Sequence, residues 1–407
     1  MQLLYAHLSH RSWIFDGGRA ISARPYRRSN SQGGGKHMRA WRKVAAVAAL
    51  GGAMAALPGM ASADSDHGRP GDGHHDQPGG GHHDQPKRDF DLQAHRGGAA
   101  LVAESTLPAF ANALELGVST LELDIAITKD GKAVVSHDRK IDGRKCKDTG
   151  PVSAGDPQFP YVGKFIKDLT VQQIRTMDCG SQTLPEFPGQ RPAPKARMTL
   201  LSEVFDLVKD YHAKDVMMNI ETKFEAGAPT ETAPREQFVQ VAAEEIRKAG
   251  MLKQVTIQSF DWGALMRMHQ VEPRLPLVAL TNPVYDGVPG TEVWLGGLDL
   301  DDFGGDPLKA IKSFGASAFS PLPGTPEGGM VTDPAYKPYV TKELVDEAHR
   351  LGIKVIPWTV EDKPTMNAMI DAGVDGIITD YPDRLREVMA DRDLKLPKSY
   401  HLKHHGH

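Results

Sequence analysis

The chain is poor in cysteine, lacks a long apolar run and carries only a slight excess of negative charge. Its longest apolar, small-residue run lies between Val44 and about Leu57. That is shorter than the ~20 residues a bilayer-spanning helix needs, so a transmembrane anchor is disfavoured and no stable membrane insertion is expected. Lys and Arg total 48 against 52 Asp and Glu, and both signs are mixed along the chain. No basic stripe marks a nucleic-acid partner. A twin-arginine signal is also missing near Met38. The only cysteines are Cys146 and Cys179, which share one loop-rich stretch. If the chain is exported, a disulfide between them is chemically permissible, with two free buried thiols as the alternative.

Export is what the N-terminal region suggests. Arg39, Arg42 and Lys43 precede the apolar run, and Ala61-Ser62-Ala63 closes it as a small-residue cleavage pattern. Residues 38–63 therefore read as a signal peptide, and the protein as secreted. Residues 1–37 are polar, Arg-rich and patternless, and are expected to be a non-native extension ahead of a true start at Met38. Residues 64–89 follow as a linker in which Gly73-His74-His75-Asp76-Gln77-Pro78 recurs at 81–86. Gly, Pro, His and Asp cannot bury a core, so this segment is expected to be disordered. Its histidines could hold a soft metal weakly, but a solvated spacer is the simpler reading. The same applies to His401–His407, the end of the His-rich tail over 393–407.

Between 90 and about 392, short apolar runs alternate with amphipathic stretches. Strand candidates cover 90–94, 121–127, 134–136, 216–220, 255–259, 277–280, 318–320, 354–358 and 376–379. Helical patterns include 106–116, 200–208, 235–249, 342–350 and 365–372. Strands alternating with helices imply βαβ units around a parallel sheet. Repeated over this length, they suggest an α/β fold, a (β/α)8 TIM barrel. Nine strand candidates are one too many. The turn Thr128-Lys129-Asp130-Gly131 would let 134–136 fold back as a hairpin, although sequence alone does not settle which strand is surplus. The stretch 138–194, after the third strand candidate, breaks the rhythm and reads as a small insertion over the barrel mouth. A second Gly- and Asp-rich interruption covers 281–315.

The chemistry-bearing residues cluster at strand ends. Glu122 and Asp124 lie two apart on one strand and so point to the same face. Glu221 and Lys223 repeat the device on another. Three carboxylates converging in a low-dielectric place repel one another, and a hard divalent cation relieves that repulsion. Oxygen ligands select Ca2+ or Mg2+ over zinc. The bland alternative pairs each acid with a nearby Lys or Arg. His95 and His137 also end strand candidates, where two imidazoles can act as acid and base across a scissile bond. Arg96 can fork onto phosphate oxygens, and Lys223 can add a point charge. Glu104 precedes the first helix and could orient Arg96 or touch the metal, or merely belong to the cap region with Ser105 and Thr106.

In order, His95-Arg96-Gly97, Glu104-Ser105-Thr106, Glu122-Leu123-Asp124, Thr128-Lys129-Asp130-Gly131 and His137-Asp138 resemble the opening of the glycerophosphodiester phosphodiesterase family. Asn219-Ile220-Glu221-Thr222-Lys223, Gln258-Ser259-Phe260, 355–360 and 375–382 resemble its later motifs, so the resemblance spans nearly all of 90–390. It implies a TIM barrel with a small insertion that hydrolyses glycerophosphodiesters to sn-glycerol 3-phosphate and an alcohol. It further implies Glu122, Asp124 and Glu221 as ligands to one divalent cation, His95 and His137 as general acid and base, and Arg96 and Lys223 as phosphate contacts. Trp358 matches a ring at the mouth that could pack on substrate, although core filling is an equal reading. Two positions depart from the pattern. Ser105 stands where Asn is common, and Thr222 where an aliphatic residue is common. Rival readings are a phospholipase D or sphingomyelinase-like enzyme acting on intact lipids, a hydrolase of glycerol-phosphate polymers such as teichoic acid, and a non-catalytic barrel.

Overall fold

The computed structural model describes residues 89–282 and 292–402. The residues read from the sequence as an N-terminal extension and a signal peptide, nearly all of those read as a linker over 64–89, and the last residues of the expected tail lie outside the described residues.

Eleven strands alternate with nine helices among these residues. The strands are β1 (Asp91–Ala94), β2 (Thr120–Ile127), β3 (Ala133–Val135), β4 (Met217–Thr222), β5 (Val255–Ser259), β6 (Leu277–Thr281), β7 (Ala318–Pro321), β8 (Gly324–Thr325), β9 (Lys337–Pro338), β10 (Lys354–Val355) and β11 (Gly376–Thr379). The helices are α1 (Leu107–Leu116), α2 (Val171–Ile174), α3 (Leu201–Asp210), α4 (Arg235–Ala249), α5 (Trp262–Val271), α6 (Pro307–Ser313), α7 (Lys342–Arg350), α8 (Lys363–Ala372) and α9 (Pro382–Asp391).

Eight strands run parallel in the order β10-β7-β6-β5-β4-β2-β1-β11. Backbone hydrogen bonds from Asp375 N–H to the Val355 carbonyl (2.9 Å) and from Ile378 N–H to the Pro357 carbonyl (3.0 Å) span the remaining gap. The result is the expected TIM barrel. The surplus strand is β3, which pairs antiparallel with β2 and sets Val135 opposite Ile125. The strand expected over 354–358 is shorter than its apolar pattern because Pro357 has no N–H to give. Ile356 and Trp358 still donate to Phe319 and Pro321 on β7.

Strand alternation sorts side chains onto two faces. Leu121, Leu123, Ile125, Met218, Ile220, Val255 and Ile257 pack outward against the helices in one large core. Their neighbours in sequence point inward. One side of the barrel interior is apolar, with Val278, Ala318, Ile356 and Ile378 in contact. The other is polar, with buried Gln93, Asn219 and Gln258. The helices start where polar caps allow. Thr106, Asp261 and Asp362 accept backbone N–H groups at the starts of α1, α5 and α8. Such caps satisfy donors that have no partner inside the helix.

The insertion over 138–194 carries one short helix and its own small core, with Ile141, Tyr161, Ile166, Leu169 and Ile174 packed beneath it. A disulfide joins Cys146 to Cys179 within it. In the second interruption, the described part is not wholly irregular. Asp306 caps α6 there, completing a βα unit.

The C-terminal boundary differs from expectation. Leu394 and Tyr400 are buried in the main core, so residues 393–400 are not a solvated tail. Tyr400 N–H donates to Leu114 (2.9 Å) and its hydroxyl to Asp215 (3.0 Å). No regular periodicity marks this segment, because single apolar residues anchor an extended chain.

Candidate active site

The functional candidates gather at the C-terminal ends of the barrel strands, the face on which TIM-barrel sites are built. In the β2–β4 ladder, Asp124 stands directly beside Glu221, and Glu122 beside Asn219. Glu122, Asp124 and Glu221 each offer an oxygen within 4.8 Å of the others, and all three are buried. Burial, and then the neighbouring Asp124, hold the Glu122 carboxyl well above the usual carboxylate range. Burial raises Glu221 to about 7, with Lys223 opposing and Asp124 adding to the rise. Asp124 is also pushed up by burial, but Lys223, His137 and Arg96 outweigh this and bring it below its ordinary value.

Neither oxygen of Asp124 accepts a hydrogen bond, although both are buried. A buried carboxylate without donors is costly unless a cation compensates it. Lys223 Nζ lies 3.6 Å from Asp124 and 2.7 Å from Glu221, and Arg96 Nε lies 3.4 Å from Asp124. These contacts offset charge but do not saturate the oxygens. The donor set therefore fits a hard divalent cation, for which Glu122, Asp124 and Glu221 would supply the ligands.

His95 follows β1 in a single 3-10 turn. Its Nδ1 lies 2.6 Å from Asp380 at the end of β11, and its Nε2 lies 4.0 Å from Glu122. Asp380 in turn receives support from Glu361, which accepts the Asp380 N–H (3.2 Å). His137 follows β3, and its Nδ1 lies 3.4 Å from Asp138. Burial, then the positive charges of Arg96 and Lys223, depress His137 to about 3 and keep its ring neutral. Two imidazoles, each backed by a carboxylate, thus flank the acid cluster.

Arg96 adopts a left-handed backbone, φ 51°, directly before Gly97 and Gly98 at φ 85° and 87°. The turn aims Arg96 N–H at Glu122 (2.9 Å) and its side chain at Glu104 (3.3 Å). A Cβ on Gly97 would sit 3.0 Å from the Cβ of Ala109, so α1 packs where a side chain would otherwise stand. Thr106 caps α1, whereas Ser105 takes φ 60° and donates its N–H to Arg96. Asn tolerates that left-handed conformation better than Ser. Thr222 turns away from the site, and its hydroxyl donates to Ser259 (3.1 Å), so this departure leaves the acids untouched.

Glu104 contacts Arg96 and Lys145 rather than the acid cluster. Burial alone would raise it, but Lys145 (2.8 Å) and Arg96 lower it to about 2. Trp358 is half-buried, edge-on to Phe260 at 5.2 Å, with its indole N–H donated to Ser320. Three further contributors carry little or no signal in the sequence. Asp380 occupies a strand end, which could have flagged it. Gln258 donates to Glu122 (2.6 Å) and accepts from Asn219 (2.8 Å), joining a buried polar network. Its inward position on β5 was a weak signal. Lys145 lies in an aperiodic insertion and had none.

A barrel with acids, histidines, an arginine and a lysine at its strand ends has the make-up of a polar catalytic site able to hold a divalent cation. The chain matches the glycerophosphoryl diester phosphodiesterase family over residues 95–384. It belongs to that family. It is 31% identical over 292 residues to a glycerophosphodiester phosphodiesterase of Caldanaerobacter subterraneus subsp. tengcongensis, covering 72% of this chain and 94% of the relative. A glycerophosphodiester phosphodiesterase of Bacillus subtilis is 27% identical, over 72% of this chain and 85% of that one. Among solved structures, a glycerophosphoryl diester phosphodiesterase homologue from Silicibacter pomeroyi aligns with TM-score 0.61 and 28% identity, covering 76% of this chain and 96% of the other. A phosphodiesterase from Oleispira antarctica, solved with its product sn-glycerol 3-phosphate, shares the fold at TM-score 0.53 and 16% identity, over 74% and 96%.

Proposed function

We propose that this protein hydrolyses glycerophosphodiesters to sn-glycerol 3-phosphate and an alcohol, with Ca2+ or Mg2+ held by Glu122, Asp124 and Glu221. The observation that carries the reading is the Asp124 carboxylate, buried without a hydrogen bond between two carboxylate-backed histidines. The bound cation supplies positive charge against the phosphate in the transition state. Arg96 and Lys223 add their own charge to the phosphate oxygens. One histidine takes a proton from the attacking oxygen, either water or the glycerol 2-hydroxyl. The other gives a proton to the leaving alcohol. Asp380 and Asp138 fix the ring that each proton move requires. Trp358 and Phe260 line the mouth, where they can pack on glycerol or the alcohol. Product release as sn-glycerol 3-phosphate has support from the Oleispira antarctica relative.

The leader-like stretch over 38–63 supports action outside the cell, and the substrate is then a small diester met there. Among the described residues no helix is long and apolar enough to cross a membrane. Turnover of glycerophosphocholine, lysophospholipid and a glycerol-phosphate polymer, measured after EDTA treatment and after Ca2+ or Mg2+ is added back, tests the reading. Restored turnover of the small diester is expected. Full activity in the stripped protein would sink the cation assignment, and preference for lipid or polymer would sink the substrate.

A further inference from the structure

We propose that Lys145, supplied by the insertion, is a positioning residue that ties Arg96 to His137 through an alternating string of charges, and that the Cys146–Cys179 disulfide holds it in place. The inference rests on His137 acting as a proton carrier, as read above.

Lys145 Nζ lies 2.6 Å from Asp138 Oδ2 and 2.8 Å from Glu104 Oε1. Its side chain is only 17% exposed. Each of those carboxylates holds a second partner. Asp138 Oδ1 faces His137 Nδ1 at 3.4 Å, and Glu104 Oε1 faces Arg96 Nη1 at 3.3 Å. The order Arg96, Glu104, Lys145, Asp138, His137 therefore alternates in sign until the imidazole. Lys145 competes with Arg96 for Glu104, which keeps the guanidinium from being neutralised locally. It also occupies one Asp138 oxygen and leaves the other directed at the ring. With Lys145 removed, two buried acids lose their shared cation and Asp138 loses its anchor.

The disulfide explains why a loop residue can be placed this firmly. Cys146 follows Lys145 directly, and both of their N–H groups donate to the Asp142 carbonyl. On the far side, Lys147 and Asp178 exchange backbone hydrogen bonds of 2.9 and 3.1 Å, and Cys179 donates to Ala196 (2.7 Å). The covalent link joins these two anchored turns. One small cleft is lined by His137, Asp138 and Lys145 together with both cysteines. A side chain on a rigid, hydrogen-bonded turn keeps its geometry, whereas one on a free loop does not.

The test compares kcat and KM on glycerophosphocholine, at saturating divalent cation and below any variant's unfolding, for Lys145→Met, Lys145→Arg, His137→Ala and the double variant. Lys145→Met is expected to lower kcat 10- to 100-fold, with Lys145→Arg recovering most of it. Added to His137→Ala, Lys145→Met should cost less than about threefold, because residues acting as a unit are not additive. The side-chain nitrogen NMR signals of His137 should shift in Lys145→Met and not in Lys145→Arg. Wild-type kcat in Lys145→Met, alongside an inactive His137→Ala, overturns the proposal while leaving the acid–base reading intact. Wild-type kcat in His137→Ala overturns the acid–base reading itself. Reduction of the folded protein, or Cys146→Ser with Cys179→Ser, should lower kcat several-fold, and unchanged kcat in both overturns the tether.

Discussion

A histidine carries protons usefully only when its ring is held in one tautomer and orientation. Asp380 does this for His95 across a 2.6 Å contact that joins the first and last strands of the barrel. Replacing Asp380 by Asn keeps the shape and removes the charge, so kcat should fall by about 10- to 100-fold. Cation affinity, measured by titration calorimetry, should hardly change. Equal losses in both quantities would place Asp380 in the cation site instead. Glu104 permits a second test through pH. Its folded carboxyl sits near 2, below its ordinary value of 4.5. Its ion pairs therefore contribute stability above about pH 4.5 and lose it as pH falls towards 2. Wild type should exceed Glu104→Gln by roughly 3 kcal/mol at most in urea unfolding at pH 6, and the gap should shrink across that window. A gap independent of pH would refute the ionic origin.

At the scale of elements, the site depends on register. The β2–β4 ladder sets Asp124 beside Glu221, and the β4–β5 ladder sets Glu221 beside Gln258. A slip of one residue would turn all of these outward into the helical core. The turn after β1 plays the complementary part, folding Arg96 back over the end of β2. Far from the chemistry, the extended segment after α9 ties α1 and the loop before β4 together through Tyr400. Tyr400→Ala removes a buried ring and a hydrogen bond to Asp215. It should cost about 2–4 kcal/mol in denaturant unfolding. An unchanged unfolding midpoint would show that the segment is dispensable. Activity at low temperature should be nearly normal, because the Tyr400 partners Leu114 and Asp215 are not site residues.

At the scale of the whole molecule, catalysis and stability meet in the acid cluster. Three acids with oxygens within 4.8 Å of one another repel, and a cation bound among them would relieve that repulsion. A cation that binds the folded chain alone stabilises it by about 2.7 kcal/mol at a hundred times its Kd. Ca2+ or Mg2+ should therefore raise Tm in a concentration-dependent way, and Asp124→Asn should flatten that response. A Tm insensitive to both ions in the wild type would argue against a resident cation.

Much of this molecule was legible in the residue order, for reasons that are local. A period of two on strands and 3.6 on helices announces βαβ repeats, and an acid–x–acid pair on a strand has to share a face. Those rules were enough for the barrel, the three acids and the two strand-end histidines. They were silent on partners distant in sequence. Asp380 reaches His95 only because the barrel closes β11 onto β1. Lys145 reaches Asp138 and Glu104 only because an aperiodic loop, linked through Cys146, folds over the mouth. The packing of residues 393–400 was hidden in the same way, since isolated apolar anchors leave no period to read. Sequence determined which residues could do chemistry and which face of a strand each would share. Tertiary structure alone decided which carboxylate holds which histidine, because ring closure and loop packing set the distances on which hydrogen bonds and charge depend.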